Sequence, residues 1–436
     1  MRLRQLAVAA GLLGLLCVPV HAEGRDIGRD TLPANDGWAS EGAGTTGGAA
    51  ADAEHVFTVT DRAGLVRALD GGSDTPKIIK IAGTVDANTD DDGDRLDCSD
   101  YATGGYALKK YLAAYDPRTW GSAKPSGPQE EARQASAARQ AERIVLPVGS
   151  HTTIVGLGDS AVLKGASLQV KNADNVIIRN LDVRDAYDCF PVWQPNTGGL
   201  GDWKAAYDTI WLTGATHVWI DHVTASDRGH PDAKEPTYFA RNYLRHDGLL
   251  DITNGSDLVT VSWSRFTDHD KAMLIGNGDT ATGDRGKLRV TLHHNAFESV
   301  VQRAPRVRFG QVHVYNNRYE ITDDDYRYSF GVSTESRIFA ENNAFHAPGH
   351  VEVADLVKSW NGSALHQSGT LWGSPRTESG GGYPVDLLAI YNAYNSGSER
   401  DLTADVDWTP TLHGRIDSAA AADRAVARGA GAGRLS

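Results

Sequence analysis

The feature that most constrains this chain is an apolar pattern that repeats through its middle and C-terminal parts. Six segments share an apolar residue at the first and third positions, a small polar, amide or apolar residue at the sixth, and an apolar residue at the eighth. The six segments begin at Val176, Val218, Val259, Val290, Val312 and Ile338. The shortest step between units is 22 residues, from Val290 to Val312. A step near this length is typical of coils that carry loops on one side. Because a unit of this size cannot bury its own apolar face, the pattern predicts stacked coils, each with two short strands and a bend.

Three of the bends carry an asparagine at the same position: Asn295, Asn317 and Asn343. Stacked asparagines can bond one another through their amides and so satisfy buried polar groups coil by coil. We therefore expect an all-β chain that forms a single-domain, right-handed parallel β-helix with flanking loops. The alternative is a β-sandwich, which needs antiparallel hairpins with two-residue turns, whereas the connections here are mostly longer.

The N-terminal residues predict a secretory signal over residues 1–22. Arg2 and Arg4 form a basic start, a largely apolar run follows from residue 6 to 20, and small residues precede a cleavage point after Ala22. The apolar run is too short for a convincing membrane span. We expect a secreted, extracellular protein.

The mature chain divides by composition into an arm and a domain. Residues 23–53 are rich in glycine, alanine and acids and predict a flexible, loosely held arm, and residues 54–436 are predicted to form the β-helix domain. Two helices are predicted outside the coils. One covers residues 129–143, with acids at its start and mostly basic residues later, as the helix dipole favours. The other covers the alanine-rich residues 417–430 and is expected to cap the open end of the coils.

Charge and cysteine content limit the partners and the compartment. The formal net charge is −13, so we expect no nucleic-acid partner, and no stretch after the leader predicts a membrane partner. Screening acts over roughly 8 Å at physiological salt, so local basic residues decide whether an acidic substrate binds. Cys98 and Cys189 are the only cysteines after the leader. Two cysteines of an exported protein are able to pair, and the sequence leaves open whether these two meet.

Residues 300–317 contain three arginines, Arg303, Arg306 and Arg308, around one proline. Alternate residues of a strand share a face, so Arg306 and Arg308 are expected to point one way and their apolar neighbours the other. Arginine forks suit carboxylates. The cluster indicates either a carboxylate-binding wall or a surface group paired with nearby acids.

Acidic residues stand upstream of these arginines. Asp247 and Asp251 are four positions apart, on one face of a strand, and hard oxygen ligands on one face are typical of Ca²⁺ sites. Asp208 lies in the sequence A-Y-D-T-I, and Lys271 ends the sequence D-H-D-K. Acids for a cation and bases for an anion in one chain indicate an acidic substrate that is held partly through metal.

Four motifs together resemble those of the pectate lyases of polysaccharide lyase family 1, in its bacterial secreted branch. They are W-I-D-H-V-T from residue 219, H-D-G-L-L-D from residue 246, D-H-D-K from residue 268, and R-A-P-R-V-R-F-G-Q-V-H-V-Y-N-N from residue 303. The resemblance spans most of the chain after the leader. It implies calcium-dependent β-elimination of polygalacturonate by a monomeric enzyme.

The resemblance also implies a role for each candidate residue. Asp208, Asp247 and Asp251 are expected to hold Ca²⁺, and Lys271 and Arg308 to bind substrate carboxylates. Arg303 occupies the position of the catalytic base. A free arginine stays charged at neutral pH, so the resemblance, and not the chemistry of a free arginine, assigns this role.

Other functions remain open at this point. A polygalacturonase-type hydrolase would use paired carboxylates. Asn88-Thr89-Asp90 imitates one of its motifs, but its G-H-G and R-I-K motifs are absent. A β-helix can also serve as a carbohydrate-binding module without catalysis, with exposed aromatic platforms. A zinc site is a further alternative, at His293 with His294 or at His269.

Overall fold

The structure, a computed structural model, describes residues 26–374, 381–395 and 400–435. The predicted signal segment, residues 1–22, therefore lies outside the described residues. In the described part the chain winds into a parallel β-helix whose coils contribute strands to three lengthwise faces.

The first face is a ten-stranded sheet in which every neighbouring pair is parallel. Its strands are, in order, Val56–Val59, Lys77–Ile81, Thr152–Gly156, Asp174–Arg179, Thr216–Asp221, Asp257–Ser262, Val290–His293, Gln311–Tyr315, Arg337–Glu341 and Leu365–Ser368. All six repeat units predicted from the sequence begin in strands of this face. The parallel pairing confirms the β-helix prediction and excludes the β-sandwich.

The second and third faces join into one seventeen-stranded sheet because the strand Arg265–Ile275 bends and belongs to both. The second face contains Val145–Val148, Ser167–Lys171, Ile210–Thr213, Gly248–Thr253, the end of Arg265–Ile275, Arg306–Val307, Phe330–Ser333 and Val357–Trp360. The third face contains Thr84–Asp86, Val162–Lys164, Asp182–Arg184, Thr224–Ser226, the start of Arg265–Ile275, Ala296–Gln302, Arg318–Glu320, Ala344–His346, Leu371–Gly373 and Tyr383–Pro384.

One apolar core fills the space between the faces along the length of the coils. It contains the first, third and eighth residues of the repeat, for example Val259, Val261 and Phe266, each fully buried. The phenyl rings of Phe266 and Phe297 stack with centroids 5.3 Å apart, and Phe297 stacks in turn on Tyr319 at 4.9 Å. Stacking between like positions of successive coils explains why the pattern repeats in the sequence.

The predicted asparagine ladder is present at the bend between the first and third faces. Asn295 Nδ2 donates to Asn317 Oδ1 at 3.0 Å, and Asn317 Nδ2 donates to Asn343 Oδ1 at 3.1 Å. The backbone amides of Asn295 and Asn317 donate to the same two oxygens. All three side chains are buried, so the ladder satisfies polar groups that water cannot reach.

Helices and hairpins decorate the coils. The described α-helices are Arg62–Leu69, Cys98–Tyr101, Leu108–Ala114, Pro117–Trp120, Pro128–Ile144, Leu387–Tyr394 and Ala419–Gly429, and the described 3₁₀ helices are Ile27–Arg29, Trp38–Ser40, Ala53–His55, Asp70–Gly72, Thr197–Gly199, Asp232–Lys234, Thr282–Asp284 and Val353–Leu356. Two antiparallel hairpins pair Val192–Gln194 with Asp202–Lys204 and Thr237–Tyr238 with Arg241–Asn242. In the described ranges no helix combines the length and the apolar character that a membrane crossing requires.

Both predicted helices form, but the C-terminal one lies elsewhere than expected. Ala419–Gly429 packs along the side of the coils, where Arg318 and His346 contact its buried Asp423. The last coil is covered instead by Leu387–Tyr394, whose Leu387 and Tyr391 join the core. The alanine-rich composition predicts a helix that packs closely, but it does not specify which surface the helix covers.

The segment predicted as a loosely held arm lies against the first face from residue 27 onward. The amides of Trp38 and Ala39 donate to Thr291 Oγ1 and Thr260 Oγ1, each at 3.0 Å. A Cβ at Gly37 would lie 2.5 Å from Thr260 Oγ1. The glycines therefore allow the backbone to approach the sheet closely. The division of the chain at residues 22 and 53 stays a prediction.

The structure joins Cys98 to Cys189 in a disulfide, with the two Cα atoms 5.3 Å apart. The bond ties the short helix Cys98–Tyr101 to the insertion that follows the strand Asp182–Arg184. Phe190 and Tyr101 pack beside it. The pairing that the sequence left open is thus present.

Candidate active site

A groove of about 640 Å³ lies over the second face and crosses its central strands. All six residues predicted as site residues line it: Asp208, Asp247, Asp251, Lys271, Arg303 and Arg308. They are far apart in sequence, but the parallel register places them on neighbouring coils. The strand pairings Gly248 with Lys271 and Leu274 with Arg306 set their order across the groove.

Asp208 and Asp251 meet on one side of Gly248. A Cβ built at Gly248 would lie 2.5 Å from Asp251 Oδ1 and 2.9 Å from Asp208 Oδ1. The Gly248 amide donates to Asp208 Oδ1 at 2.7 Å, and the Leu274 amide donates to Asp251 Oδ1 at 3.1 Å. Any side chain at position 248 would fill the space that these carboxylates share.

The carboxyl groups of Asp208 and Asp251 are buried, and their negative charges repel each other. Burial raises the pKa of Asp251 to about 7, and the charge of Asp247 adds to this. Burial, with the charges of Asp251 and Asp247, raises the pKa of Asp208 well above its usual range. Lys271 acts against this rise at both carboxyls, and Arg303 does so at Asp251, but burial and the neighbouring acids outweigh them. A bound cation would add the missing positive charge.

Asp247 differs because it already has a cationic partner. Lys271 Nζ donates to Asp247 Oδ1 at 2.9 Å. Burial raises the pKa of Asp247, but the Lys271 ammonium outweighs burial and holds it below the usual value. Burial lowers the pKa of Lys271, whereas Asp247 brings it above its usual value. The pair is therefore ionised at neutral pH.

The two predicted arginines have different surroundings. Arg308 Nε donates to Asp279 Oδ1 at 2.6 Å, and its NH1 donates to the Gly276 carbonyl at 2.9 Å. Arg303 adopts a left-handed backbone conformation, with φ of +62°, and its buried Nε has no hydrogen-bond partner.

Two basic residues that the sequence analysis did not identify, Lys204 and Arg327, also line the groove. Lys204 belongs to the hairpin strand Asp202–Lys204, and Arg327 precedes the strand Phe330–Ser333. Arg306 lines the groove too, with its guanidinium 4.1 Å from the ring centre of Trp360. No motif marks Lys204 or Arg327, and only the folded loops bring them to the site.

The residues considered for a zinc site or a hydrolase motif do not line this groove. His293 and His294 are buried on the first face beside Asp36 of the N-terminal segment, with their Nδ1 atoms 3.0 Å apart. In the described part of the chain, neither they nor His269 belongs to a group of three candidate ligands. Asn88 lines a different cavity, beside the disulfide.

The chain is similar to known pectate lyases over most of its length. A family model described as "Pectate lyase" matches residues 6–99 and 121–398. A curated pectate lyase of Bacillus subtilis is 43% identical over 99% of this chain and 100% of its own.

Solved structures agree with this similarity. A structure described as a pectate lyase bound to hexasaccharide is 44% identical, covers 94% of this chain and 100% of its own, and superposes with a TM-score of 0.87. A thermostable pectate lyase is 42% identical over 94% of this chain and 100% of its own, with a TM-score of 0.90.

Proposed function

The chain belongs to the pectate lyase family, and from that premise we propose that it is a calcium-dependent enzyme that cleaves (1→4)-α-D-galacturonan by β-elimination. The products are 4,5-unsaturated oligogalacturonides. The observation that carries the proposal is one groove that brings together Asp208, Asp247 and Asp251 with Lys271, Arg303 and Arg308. Acidic side chains that can bind a cation thus lie in the same groove as basic side chains that can bind an anion.

The acidic residues fit calcium. Their donor set is made of carboxylate oxygens alone, which hard cations prefer. The raised pKa values of Asp208 and Asp251 indicate that the nearby basic side chains do not fully compensate these buried acids, and a bound cation would do so. When bound, Ca²⁺ would draw charge from the uronate carboxylate and so acidify the proton on C5.

The basic residues act on the substrate. Lys271 and Arg308 hold carboxylates of the galacturonan and stabilise the enolate-like transition state. Arg303 takes the proton from C5, and the C4–O bond then breaks. Among the described residues no carboxylate pairs with Arg303, whereas Lys271 and Arg308 each have a carboxylate partner, and this difference supports the assignment.

We also propose secretion of a monomer whose leader covers residues 1–22. The Cys98–Cys189 disulfide supports export, because such bonds persist in oxidising compartments. The macromolecular partner in this proposal is pectate, with no nucleic acid or membrane.

The test is incubation of the secreted protein with polygalacturonate, with and without a chelator. We expect ultraviolet absorbance from the unsaturated product, its loss in chelator, and better recovery with Ca²⁺ than with Mg²⁺. New reducing ends without that absorbance would indicate hydrolysis instead, and binding without new ends would indicate a carbohydrate-binding module. Full activity in excess chelator would remove calcium from the proposal.

A further inference from the structure

A second group of potential ligands lies behind the groove, on the far side of Asp247. It consists of Asp227, Asp232 and His246, which each offer one ligand atom within 4.8 Å of the others. His246 Nδ1 is 2.9 Å from Asp232 Oδ1 and 3.7 Å from Asp227 Oδ2. All three residues are buried. None of them has a role in the proposed elimination.

The surroundings of these ligands match those of protein metal centres. A histidine that binds metal usually contacts a carboxylate through its other ring nitrogen, which fixes the ring. His246 Nε2 lies 3.4 Å from Asp185 Oδ1. Asp227 Oδ2 contacts His269 Nδ1 at 2.6 Å, and Asp232 Oδ1 accepts from the Arg245 amide at 3.0 Å.

One oxygen of the group is left without a partner. Asp227 is 2% exposed, and its Oδ1 has no hydrogen bond. A buried carboxylate oxygen without a donor is costly, so such atoms usually face a water or an ion. The nearby Arg245 guanidinium does not compensate, because it donates to Glu235 Oε2 at 2.9 Å and to the Asp188 carbonyl at 3.2 Å.

We propose that Asp227, Asp232 and His246 bind a divalent first-row transition metal ion, with Zn²⁺ the expected occupant. One nitrogen and two carboxylates suit zinc, whereas calcium takes oxygen ligands. The spacings of 2.9 and 3.7 Å between ligand atoms lie on either side of the roughly 3.4 Å that separates two ligands of a tetrahedral ion with bonds of about 2.1 Å.

The ion would have a structural role. Asp227 follows the strand Thr224–Ser226, Asp232 begins the 3₁₀ helix Asp232–Lys234, and His246 directly precedes Asp247. A shared ion would therefore tie the two ends of the insertion from residue 227 to 246 to each other and to the 3₁₀ helix near its start. This site is separate from the proposed calcium site and does not depend on the enzymatic activity.

A proton on His246 is the rival occupant, because it would satisfy the Asp232 carboxylate without any metal. A direct measurement of metal binding distinguishes a bound metal ion from a proton on His246. The full mature chain, without a histidine tag, is stripped with chelator and titrated with Zn²⁺ by calorimetry in excess Ca²⁺, which fills the calcium site. Co²⁺ replaces Zn²⁺ in a parallel titration followed by visible absorption.

We expect one equivalent of Zn²⁺ per chain, a d–d spectrum with Co²⁺, and a raised melting temperature with Zn²⁺. Asp232→Asn, which keeps the shape of the side chain, should lose both signals, and so should His246→Gln. The matched control is His217→Gln, because His217 lies at the surface beside Asp174, and it should keep them.

The proposal fails if the wild-type chain binds no Zn²⁺ under these conditions, or if excess Ca²⁺ displaces the ion. It also fails if a folded Asp232→Asn variant binds as the wild type does. The wild-type titration decides even where a variant does not fold. Cleavage of polygalacturonate is measured separately, so an inactive enzyme that binds Zn²⁺ would contradict only the proposed function.

Discussion

At the scale of single residues, the cations of the groove differ in what they already contact. Lys271 is paired with Asp247 and Arg308 with Asp279, at 2.9 and 2.6 Å. Arg303 keeps a buried, unpartnered Nε. A cation paired with a carboxylate is suited to hold an anion in place, whereas a guanidinium without a carboxylate partner can act on a substrate without first breaking a salt bridge.

Arg303→Lys should lower kcat by on the order of 10²-fold or more, the usual scale for a general base. Lysine keeps the charge but changes the reach and the fork, so a purely binding role would appear mainly in KM. Steady-state kinetics on polygalacturonate across alkaline pH are the measurement. The wild-type rate should climb with pH, because a basic group has to lose its proton first.

The matched control is Arg285→Lys, since Arg285 pairs with Glu335 on the surface, and it should leave kcat unchanged. A near-normal kcat in Arg303→Lys would exclude Arg303 as the base and make Lys271 the next candidate.

Calcium affinity should depend on pH through Asp251 and Asp208. Burial and neighbouring acids raise the pKa of Asp251 to about 7, so below that pH the carboxyl holds a proton that calcium must displace. The calcium dissociation constant should therefore rise as pH falls from 8 to 6, by about tenfold per pH unit for each proton released. Calorimetric titration measures it, and an affinity that does not change with pH would contradict the assignment.

The raised pKa of Asp251 also determines how the stability of the metal-free protein depends on pH. The folded pKa of Asp251 lies above its unfolded value, so its contribution to stability is present at low pH and is lost as pH rises through about 7. The metal-free protein should lose this contribution at pH 8, and added Ca²⁺ should restore stability there.

The sequence marks five of the six candidate residues because each lies in a short contiguous motif, whereas Asp208 lies in none of the four motifs and is assigned from the resemblance alone. Lys204 and Arg327 could not be predicted, because hairpins and loops carry them to the groove and no local pattern encodes such a path. The zinc ligands were missed for a related reason. Asp227, Asp232 and His246 come from three points of one insertion, and only the fold brings them within 4.8 Å.

At the scale of elements, the bend asparagines hold successive coils in register. Asn317 donates to the Leu292 carbonyl at 2.9 Å and to Asn343, and it accepts from the amide and the side chain of Asn295. The sequence predicted this ladder because like positions recur at a fixed point of each unit. It could not predict the surface covered by Ala419–Gly429, since alanine packs equally well on many surfaces.

Asn317→Ala should lower the free energy of unfolding by roughly 3–5 kcal/mol, because several buried groups lose partners at about 1–3 kcal/mol each. Urea denaturation measures the change. Asn196 is exposed and makes no capping bond, so Asn196→Ala should stay within about 0.5 kcal/mol. Equal effects from the two substitutions would show that the ladder adds no stability.

At the scale of the whole molecule, charge is distributed unevenly. The chain carries a net charge of −13, yet its groove collects Lys204, Lys271 and several arginines. Dissolved salt screens the interaction between the groove and the charges of distant acidic residues. An acidic protein can therefore bind a polyanion at one place.

Unesterified pectate should be cleaved with a higher kcat/KM than highly methylated pectin. A methyl ester removes the anion that Lys271 and Arg308 bind and leaves their charges without substrate partners. Kinetics on a series of graded esterification measure the preference. Faster cleavage of fully esterified pectin would contradict the proposed roles of both residues.

The Cys98–Cys189 disulfide closes a loop across a sequence separation of 91. Replacing both cysteines with alanine should lower the stability by roughly 2–4 kcal/mol, mainly through greater freedom of the unfolded chain. Thermal melts with and without reductant measure it, and the reduced wild type should melt like the variant. A wild-type melt that is insensitive to reductant would contradict the role of the bond.

The two ends of the described chain meet on the first face. The Gly37 amide donates to the Leu412 carbonyl at 3.1 Å, and the Trp38 ring lies 5.9 Å from that of Trp408. Most of the N-terminal segment docks on early coils, as where Ile27 packs on Ile78 and Val155. Gly37 and Trp38 can reach their final contacts only when residues near 412 are in place, so this part of the segment is completed after every coil is present.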